Sequence, residues 1–196
     1  RAGNNEDWYT AFVDLGDRIK AIADEAVVNG HKVTASQAYR RAFTYYRSAE
    51  RVLPGTDERK VPMYHRTIEC FHEGFSRSNH VYEQIKFDFD GQELDGFFMP
   101  PRSDARGTPP PCIIFPTGAD ALPEEQMFRG AQQMTARGAA VFLFNGPGQG
   151  NSIRLKGIPT IPDYERVYTA VVDYLETRGD IDHDRIGLIG GSMAGY

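Results

Sequence analysis

The sequence predicts an α/β fold in which a mostly parallel sheet follows a segment of helices. Apolar residues recur at helical spacing over residues 1–80, and from residue 112 onward short apolar runs alternate with helical patterns. Repeated strand–helix–strand units form parallel sheets with right-handed crossovers. A serine set among small residues follows the last apolar run, and it marks the end of that strand as a candidate functional site.

Residues 1–80 are predicted to form three amphipathic helices that together make a helical cap segment. The second helix is expected to begin near Thr34 or Ser36, because either side chain can cap a helix, and to end before Pro54. Each apolar face must be buried against something. The three faces carry Trp8, Phe12, Leu15, Ile19, Ile22 and Ala26; Tyr39, Phe43, Tyr46 and Leu53; and Tyr64, Ile68, Phe71 and Phe75.

Residues 81–196 are predicted to form the sheet, beginning with an antiparallel hairpin at one edge. The first strand ends at Phe89, and the second runs from Leu94 to Met99. Between them, Asp90-Gly91 supplies a tight turn that needs positive φ. The first strand alternates apolar and charged residues, with Ile85, Phe87 and Phe89 on its apolar side.

Three further strands are predicted at residues 112–115, 139–144 and 186–189, with helices at residues 124–137 and 163–178 between them. The run at 186–189 has the composition of a buried strand. Repeated strand–helix–strand order predicts that these three strands are parallel to one another.

The composition excludes several classes of function. The chain has 196 residues with a net charge of −5, so a basic nucleic-acid surface is not expected. No apolar run approaches the length that spans a bilayer, so no membrane partner is expected. Cys70 and Cys112 fit neither a disulfide framework nor a zinc site, and they suggest buried thiols in a reducing cytoplasm. We expect no metal and no cofactor.

Ser192 is the strongest candidate for a catalytic residue. It lies in the segment Gly190-Gly191-Ser192-Met193-Ala194-Gly195-Tyr196, directly after the last predicted strand. The nucleophile elbow of α/β-hydrolases sets a serine among small residues at such a point, because the turn is sharp and lifts the hydroxyl above the sheet. Ala194 replaces the second glycine of the strict pattern but is still small. The alternative is a serine that only caps a helix.

A serine nucleophile needs a general base, and no histidine follows Ser192. All five histidines precede it, whereas the α/β-hydrolase order is nucleophile, acid and then histidine. His183 precedes the strand whose far end carries Ser192, which separates the two by more than about 10 Å. We therefore expect the acid and the histidine beyond residue 196, and no hydrolase activity from residues 1–196 alone.

An oxyanion hole is predicted from two backbone N–H groups. Met193 follows the nucleophile, and Ala119 lies in the loop after the strand at 112–115. Gly118 lets this loop approach closely, and Asp120 beside it is a candidate substrate-binding residue. The alternative is an ordinary loop between a strand and a helix.

The segment Asn145-Gly146-Pro147-Gly148-Gln149-Gly150 superficially matches a dinucleotide-binding fingerprint. We reject that interpretation, because Pro147 removes a backbone donor and no helix is predicted directly after Gly150. A tight loop at the carboxyl end of its strand is expected instead. Open α/β sheets bind ligands at that edge, so the loop is predicted to line the site.

Together these segments resemble a group of α/β-hydrolases that includes FrsA-like esterases, 2,6-dihydroxypseudooxynicotine hydrolase and fungal polyketide-shortening hydrolases. The resemblance runs from residue 8 to residue 196. Asn145 stands where the group usually has aspartate, and Ala194 where glycine is common. The matching segments are residues 36–42, 45–50, 118–120 with 124–125, 145–150 and 190–196.

The resemblance implies a metal-free serine hydrolase whose α/β-hydrolase core follows a helical cap over the mouth of the active site. Such proteins cleave esters, or carbon–carbon bonds next to a carbonyl in β-diketone-like substrates, and are often dimers. We therefore expect a small-molecule acyl, ester or diketone substrate, an acyl-enzyme on Ser192, and a homodimer. An acyltransferase, a peptidase of the prolyl-oligopeptidase type and a non-catalytic binding protein on a degenerate hydrolase fold remain as alternatives.

Overall fold

The computed structural model describes residues 3–102 and 108–195. They form two compact units, Arg1–His80 and Val81–Tyr196. Tyr196, the last residue of the predicted elbow segment, lies outside the described residues. Among the residues described, no helix is both long enough and apolar enough to cross a bilayer.

The first unit consists of three helices, α1 (Asn5–Val28), α2 (Lys32–Arg51) and α3 (Lys60–Ser76). The predicted cap of α2 is wrong, because the helix begins at Lys32 and no side chain caps it. Ser36 lies one turn inside α2, where its hydroxyl donates to the carbonyl of Gly74 at 2.7 Å. The serine that was expected to start α2 therefore ties α2 to α3.

The apolar face of α2 is buried as predicted, but α1 meets it through small residues. Gly16, Ala23 and Ala26 are buried on α1, whereas Trp8 and Ile22 of the predicted stripe are each 49% exposed. The ring of Tyr46 lies directly over Gly16, where a Cβ would overlap it. The bulk of the α2 rings thus decides which face of α1 is buried.

The second unit is built on a five-stranded sheet in the order β1-β2-β4-β3-β5. β3, β4 and β5 are parallel, while β2 is antiparallel to both β1 and β4. β1 therefore runs in the direction of β4, and the mostly parallel sheet with a hairpin at one edge is confirmed. The strands are β1 (Glu83–Phe89), β2 (Gln92–Met99), β3 (Cys112–Ile114), β4 (Ala140–Phe144) and β5 (Ile186–Leu188).

The predicted hairpin turn adopts the backbone that its sequence requires. Asp90 has φ of 53° and Gly91 has φ of 74°. Positive φ at both positions matches the twist of the flanking strands, so Phe89 pairs with Gln92 across a two-residue loop. Ile85, Phe87 and Phe89 are buried, as their alternation predicts.

Helices cover the sheet. α4 (Pro123–Gln126), a π-helical turn (Met127–Ala131) and α5 (Gln132–Ala136) follow β3, where one helix was predicted. α6 (Gly150–Arg154) and α7 (Glu165–Glu176) follow β4. Every residue of β4 is buried. One face of the sheet packs on α7 in a cluster that includes Phe142, Phe144, Val167, Val171 and Leu175.

β5 is not the buried strand that its composition predicted. Leu188 and Ile189 are 50% and 47% exposed. β3 is the one partner of β5 among the described strands, with Gly187 opposite Ile113, so β5 forms an edge of the described sheet.

We expect G16A to destabilise the protein. Alanine normally stabilises a helix relative to glycine by about 1 kcal/mol, but here its methyl group would overlap the Tyr46 ring, and overpacking typically costs about 1–3 kcal/mol. Urea unfolding of the full-length protein measures the change. G55A is the matched control, because a Cβ at Gly55 meets nothing within 4 Å. Equal stability of G16A and G55A would contradict the packing described.

Candidate active site

The parallel strands bring three loops to one edge of the sheet. β3, β4 and β5 run side by side in the same direction, so their carboxyl ends lie together. The helices α4 and α5 connect β3 to β4, whereas α7 precedes β5, which lies on the other side of β3. The chain therefore adds its next strand on one side of β3 and a later strand on the other side, and ligands of open α/β sheets bind at such switch points.

Ser192 lies at the turn after β5 with a backbone that serine rarely adopts. Its φ is 59°, in the left-handed region, and it opens a 3₁₀ turn, Ser192–Gly195. A left-handed backbone costs a non-glycine residue about 1–2 kcal/mol, because Cβ approaches the following carbonyl oxygen. The residue is exposed. The sequence predicted this sharp turn and the accessible hydroxyl that follows from it.

Small residues on both sides of Ser192 let the turn close. A Cβ at Gly190 would overlap the carbonyl oxygen of Ala194. The Ala194 N–H donates to the carbonyl of Gly191 at 3.3 Å. Ala194 is 4% exposed. Alanine at this position therefore fits, because the crowding at Gly190 comes from the backbone oxygen of Ala194 and not from its methyl group.

A tyrosine of α7 donates a hydrogen bond to the turn that contains Ser192. The hydroxyl of Tyr168 donates to the carbonyl of Ala194 at 3.2 Å. Its ring packs edge-on against Phe144 of β4, and burial raises the pKa of the phenol above its ordinary value. Tyr168 therefore remains a neutral donor. The sequence analysis did not single it out, because a tyrosine on an apolar helix face usually belongs to the core.

The loop after β3 lies against Ser192. A Cβ at Gly118 would be 3.5 Å from Ser192 Cβ, 3.8 Å from Ser192 Oγ and 3.5 Å from the carbonyl oxygen of Gly191. The loop turns sharply, since the Ala121 N–H donates to the Gly118 carbonyl at 3.2 Å. Within the described residues, no hydrogen bond engages the N–H of Ala119. The structure thus places Gly118 beside the serine, and Ala119 directly follows it in the loop.

The other two predicted site residues lie at the rim. Met193 follows Ser192 and is about half exposed. Asp120 is also about half exposed, and its Oδ1 lies 3.5 Å from Nη2 of the largely buried Arg154. An ion pair this open is worth little on its own. It nevertheless places a cation, which the sequence analysis did not identify, next to Asp120.

The loop after β4 uses its own backbone N–H groups in hydrogen bonds to backbone carbonyls. The N–H groups of Gly148 and Gln149 donate to the carbonyls of Ile158 and Gly146 at 3.0 Å each. The prediction that no helix follows directly after Gly150 is wrong, because α6 begins at Gly150. A nucleotide site is still not formed here, because the N–H groups of Gly148 and Gln149 already donate to backbone carbonyls and a phosphate cradle needs such groups free.

Gln149 joins the loop after β4 to the loop after β3. Its amide nitrogen donates to the Thr117 carbonyl at 2.6 Å, and the Thr117 hydroxyl donates to its amide oxygen at 3.2 Å. Both residues are buried. The sequence analysis placed this loop at the site but missed the contact, because the two residues are 32 positions apart.

Within the described residues of the second unit, no histidine lies beside Ser192. His183 lies in a 3₁₀ turn just before β5, where its Nε2 is 2.6 Å from the carbonyl oxygen of Arg178. It is exposed, as predicted, and the length of β5 separates it from the serine. The other four histidines lie in the first unit. Within the described part of the chain, no cluster of three or more histidine, cysteine, aspartate or glutamate residues is arranged to hold a metal ion.

We expect S192G to be more stable than S192A by about 1 kcal/mol, because glycine adopts left-handed φ without the steric cost that alanine retains. Ser152, on α6, is the matched control. There the order should reverse, since glycine weakens a helix relative to alanine by about 1 kcal/mol. Urea unfolding of the four variants tests this. If S192G is no more stable than S192A, the left-handed turn is contradicted.

The sequence and the structure were compared with those of known proteins. No protein-family model matches the chain. Alpha/beta hydrolase ucsC of Acremonium sp is 31% identical over 97% of this chain and 43% of its own length. Hydrolase acrC of Aspergillus aculeatus is 33% identical over 99% of this chain and 50% of its own. 20-hydroxy-prefusarin hydrolase FUS2 of Gibberella moniliformis is 30% identical, over 99% and 48%. The chain spans about half the length of the curated relatives it matches.

Solved structures of α/β-hydrolases are also similar to this chain. The crystal structure of 2,6-dihydroxy-pseudo-oxynicotine hydrolase superposes with a TM-score of 0.79 at 26% identity, over 96% of this chain and 51% of that one. AbyA5 superposes with a TM-score of 0.66 at 15% identity, over 93% and 47%, and supports the fold alone. The chain is therefore a homologue of fungal α/β-hydrolases, matches their amino-terminal part, and has the α/β-hydrolase fold.

Proposed function

We propose that the protein is a serine hydrolase whose nucleophile is Ser192. The left-handed backbone of Ser192 at the carboxyl end of β5 carries this proposal. Strain of this kind persists only where the surrounding structure enforces it, and it concentrates at functional sites. A serine that only capped a helix would have an extended backbone and no need of left-handed φ.

The chemistry follows from the neighbours of the hydroxyl. Ser192 Oγ attacks a carbonyl carbon, so a C–O bond forms and the carbonyl electron pair moves to oxygen. The N–H groups of Met193 and Ala119 donate to that oxyanion. The hydroxyl proton passes to a general base and then to the leaving group as its bond to the acyl carbon breaks. Water then hydrolyses the acyl-enzyme by the same steps.

The base in this proposal is a histidine oriented by an aspartate, both from sequence after residue 196. The α/β-hydrolase chain order supports this, and so does the twofold greater length of the relatives. Without the base, the hydroxyl would be a weak nucleophile.

The substrate we propose is a small molecule with an ester or a β-diketone-type carbonyl. Two similar proteins support this class, since their names describe hydrolases of 20-hydroxy-prefusarin and of 2,6-dihydroxy-pseudo-oxynicotine. Both names denote organic molecules rather than peptides. Cleavage of an ester releases an alkoxide, and cleavage of a diketone releases an enolate. The proposed oxyanion hole would stabilise the tetrahedral oxyanion that forms on the attacked carbonyl in both reactions.

We expect a fluorophosphonate to label Ser192 covalently in the full-length protein, because the probe reacts with activated serine hydroxyls. Mass spectrometry of the labelled peptide identifies the site. S192A should abolish labelling and reduce turnover of p-nitrophenyl acetate by at least about 10³-fold. S152A, which removes another serine of the same unit, should still be labelled. Labelling that survives in S192A would eliminate this nucleophile.

We expect Y168F to slow labelling of Ser192 by about threefold to tenfold, the equivalent of one net hydrogen bond of about 0.5–1.5 kcal/mol. The variant removes only the hydroxyl that holds the Ala194 carbonyl. Y174F is the matched control on the same helix, since the Tyr174 hydroxyl accepts from Arg178 at 3.0 Å. Equal labelling rates in the two variants would show that the Tyr168 hydroxyl does not position the turn.

A further inference from the structure

We propose that Gln149 is a positioning residue that fixes the oxyanion loop, defined here as residues 116–120, in the place where it can stabilise the reaction. The inference rests on the proposed function, because it concerns the loop that would hold the oxyanion. Gln149 lies in the loop after β4 and contacts the oxyanion loop after β3, so a side chain from one loop positions the backbone of the neighbouring loop.

In the contact between the two loops, each residue both donates and accepts a hydrogen bond, and both residues are buried. Thr117 supplies a carbonyl and a hydroxyl, and Gln149 supplies an amide nitrogen and an amide oxygen, which together form two hydrogen bonds. Gln149 is 4% exposed and Thr117 is 0% exposed. Water therefore cannot replace a lost partner easily, and a buried polar group left without one is strongly unfavourable. The pair allows few alternative positions of the loop.

The position of Thr117 makes this contact relevant to chemistry. Thr117 directly precedes Gly118, whose Cα faces the Ser192 side chain, and Ala119 follows. A rotation of the backbone at Thr117 would therefore move the Ala119 N–H relative to Ser192 Oγ. Donors of an oxyanion hole act when they lie within about 0.2 Å of 2.9 Å from the developing charge, so small displacements matter.

A second contact holds the other side of Gly118 and Ala119. Arg154 of α6 lies 3.5 Å from Asp120, on the other side of Gly118 and Ala119. α6 begins directly after Gln149, so both ties come from one continuous stretch of chain. The Gln149 tie is buried and doubly bonded, whereas the Asp120 tie is half-exposed. We therefore assign the positioning to Gln149.

The test compares variants of the full-length protein by the kinetics of fluorophosphonate inactivation, which separate the limiting rate, kinact, from the binding constant, KI. Q149L keeps the approximate volume but removes both bonds. We expect kinact to fall about 10–100-fold with KI changed by less than about twofold, since misplaced donors weaken the transition state and not the encounter.

Thr117 provides an independent pair of variants. T117V removes the hydroxyl but leaves its carbonyl to accept from Gln149, so we expect kinact to fall by about threefold to tenfold, which is less than in Q149L. T117S restores the hydroxyl and should recover most of that loss. This pair keeps the inference testable even if Q149L does not fold.

Ser152 supplies the matched control. Its hydroxyl is buried in the same region and donates to the Asn145 carbonyl at 2.8 Å, but it does not touch the oxyanion loop. S152A should lower the unfolding midpoint and leave kinact as it is in the wild-type protein. A fall in kinact for S152A equal to that for Q149L would overturn the inference, because any loosening of the loop after β4 would then suffice.

The remaining outcomes separate the inference from the proposed function. If S192A still reacts with the probe, the nucleophile assignment fails. If S192A is inert while Q149L and T117V keep the wild-type kinact, the nucleophile stands and the positioning role is refuted. A loss confined to KI would also refute it, because Gln149 would then act on binding.

Discussion

The left-handed backbone at Ser192 is the constraint on which the rest of the site depends. It turns the chain sharply four residues after the end of β5 and leaves the serine exposed at the carboxyl edge of the sheet. The strain of about 1–2 kcal/mol must be offset locally. The closed turn from Gly191 to Ala194, the burial of Ala194 and the hydrogen bond from Tyr168 provide that offset. The conformation is therefore a property of β5, the turn and α7 together.

The sheet converts this local turn into a site because the neighbouring strand ends are fixed by pairing. Ile114 lies opposite Leu188 on one side and Phe142 on the other, so the loops after β3 and β5 start at the same level, while β4 continues for two further residues. β3 has only three residues, yet its pairing fixes the register of both neighbouring strands, β4 and β5. The Gln149–Thr117 pair then removes the freedom that remains in the loops. Strand register therefore determines where each loop begins, and hydrogen bonds between side chains and loops limit the positions that each loop can adopt.

The sequence predicts what depends on neighbours along the chain and misses what depends on distant packing. The hairpin at Asp90-Gly91 and the turn at Ser192 need particular residues at particular positions, so local pattern is sufficient. The tie from Gln149 to Thr117 joins residues 32 positions apart, which no local pattern encodes. β5 was expected to be buried because its composition is apolar, while the exposure of a strand among the described residues depends on which distant elements pack on its faces.

Charge explains why the asparagine at position 145 suits this site. Asn145 is 1% exposed, and its Oδ1 accepts from the Asn151 N–H at 3.3 Å, a role that an aspartate oxygen could also fill. The Asn151 amide donates in turn to Asp95, which pairs with Lys156 at 2.6 Å. An aspartate at 145 would add a buried carboxylate to a network that already contains the partly buried Asp95, with a large desolvation cost. The neutral amide keeps the hydrogen bond to the Asn151 N–H without adding a charge, and its cost is that the buried Asn145 Nδ2 has no hydrogen-bond partner among the described residues.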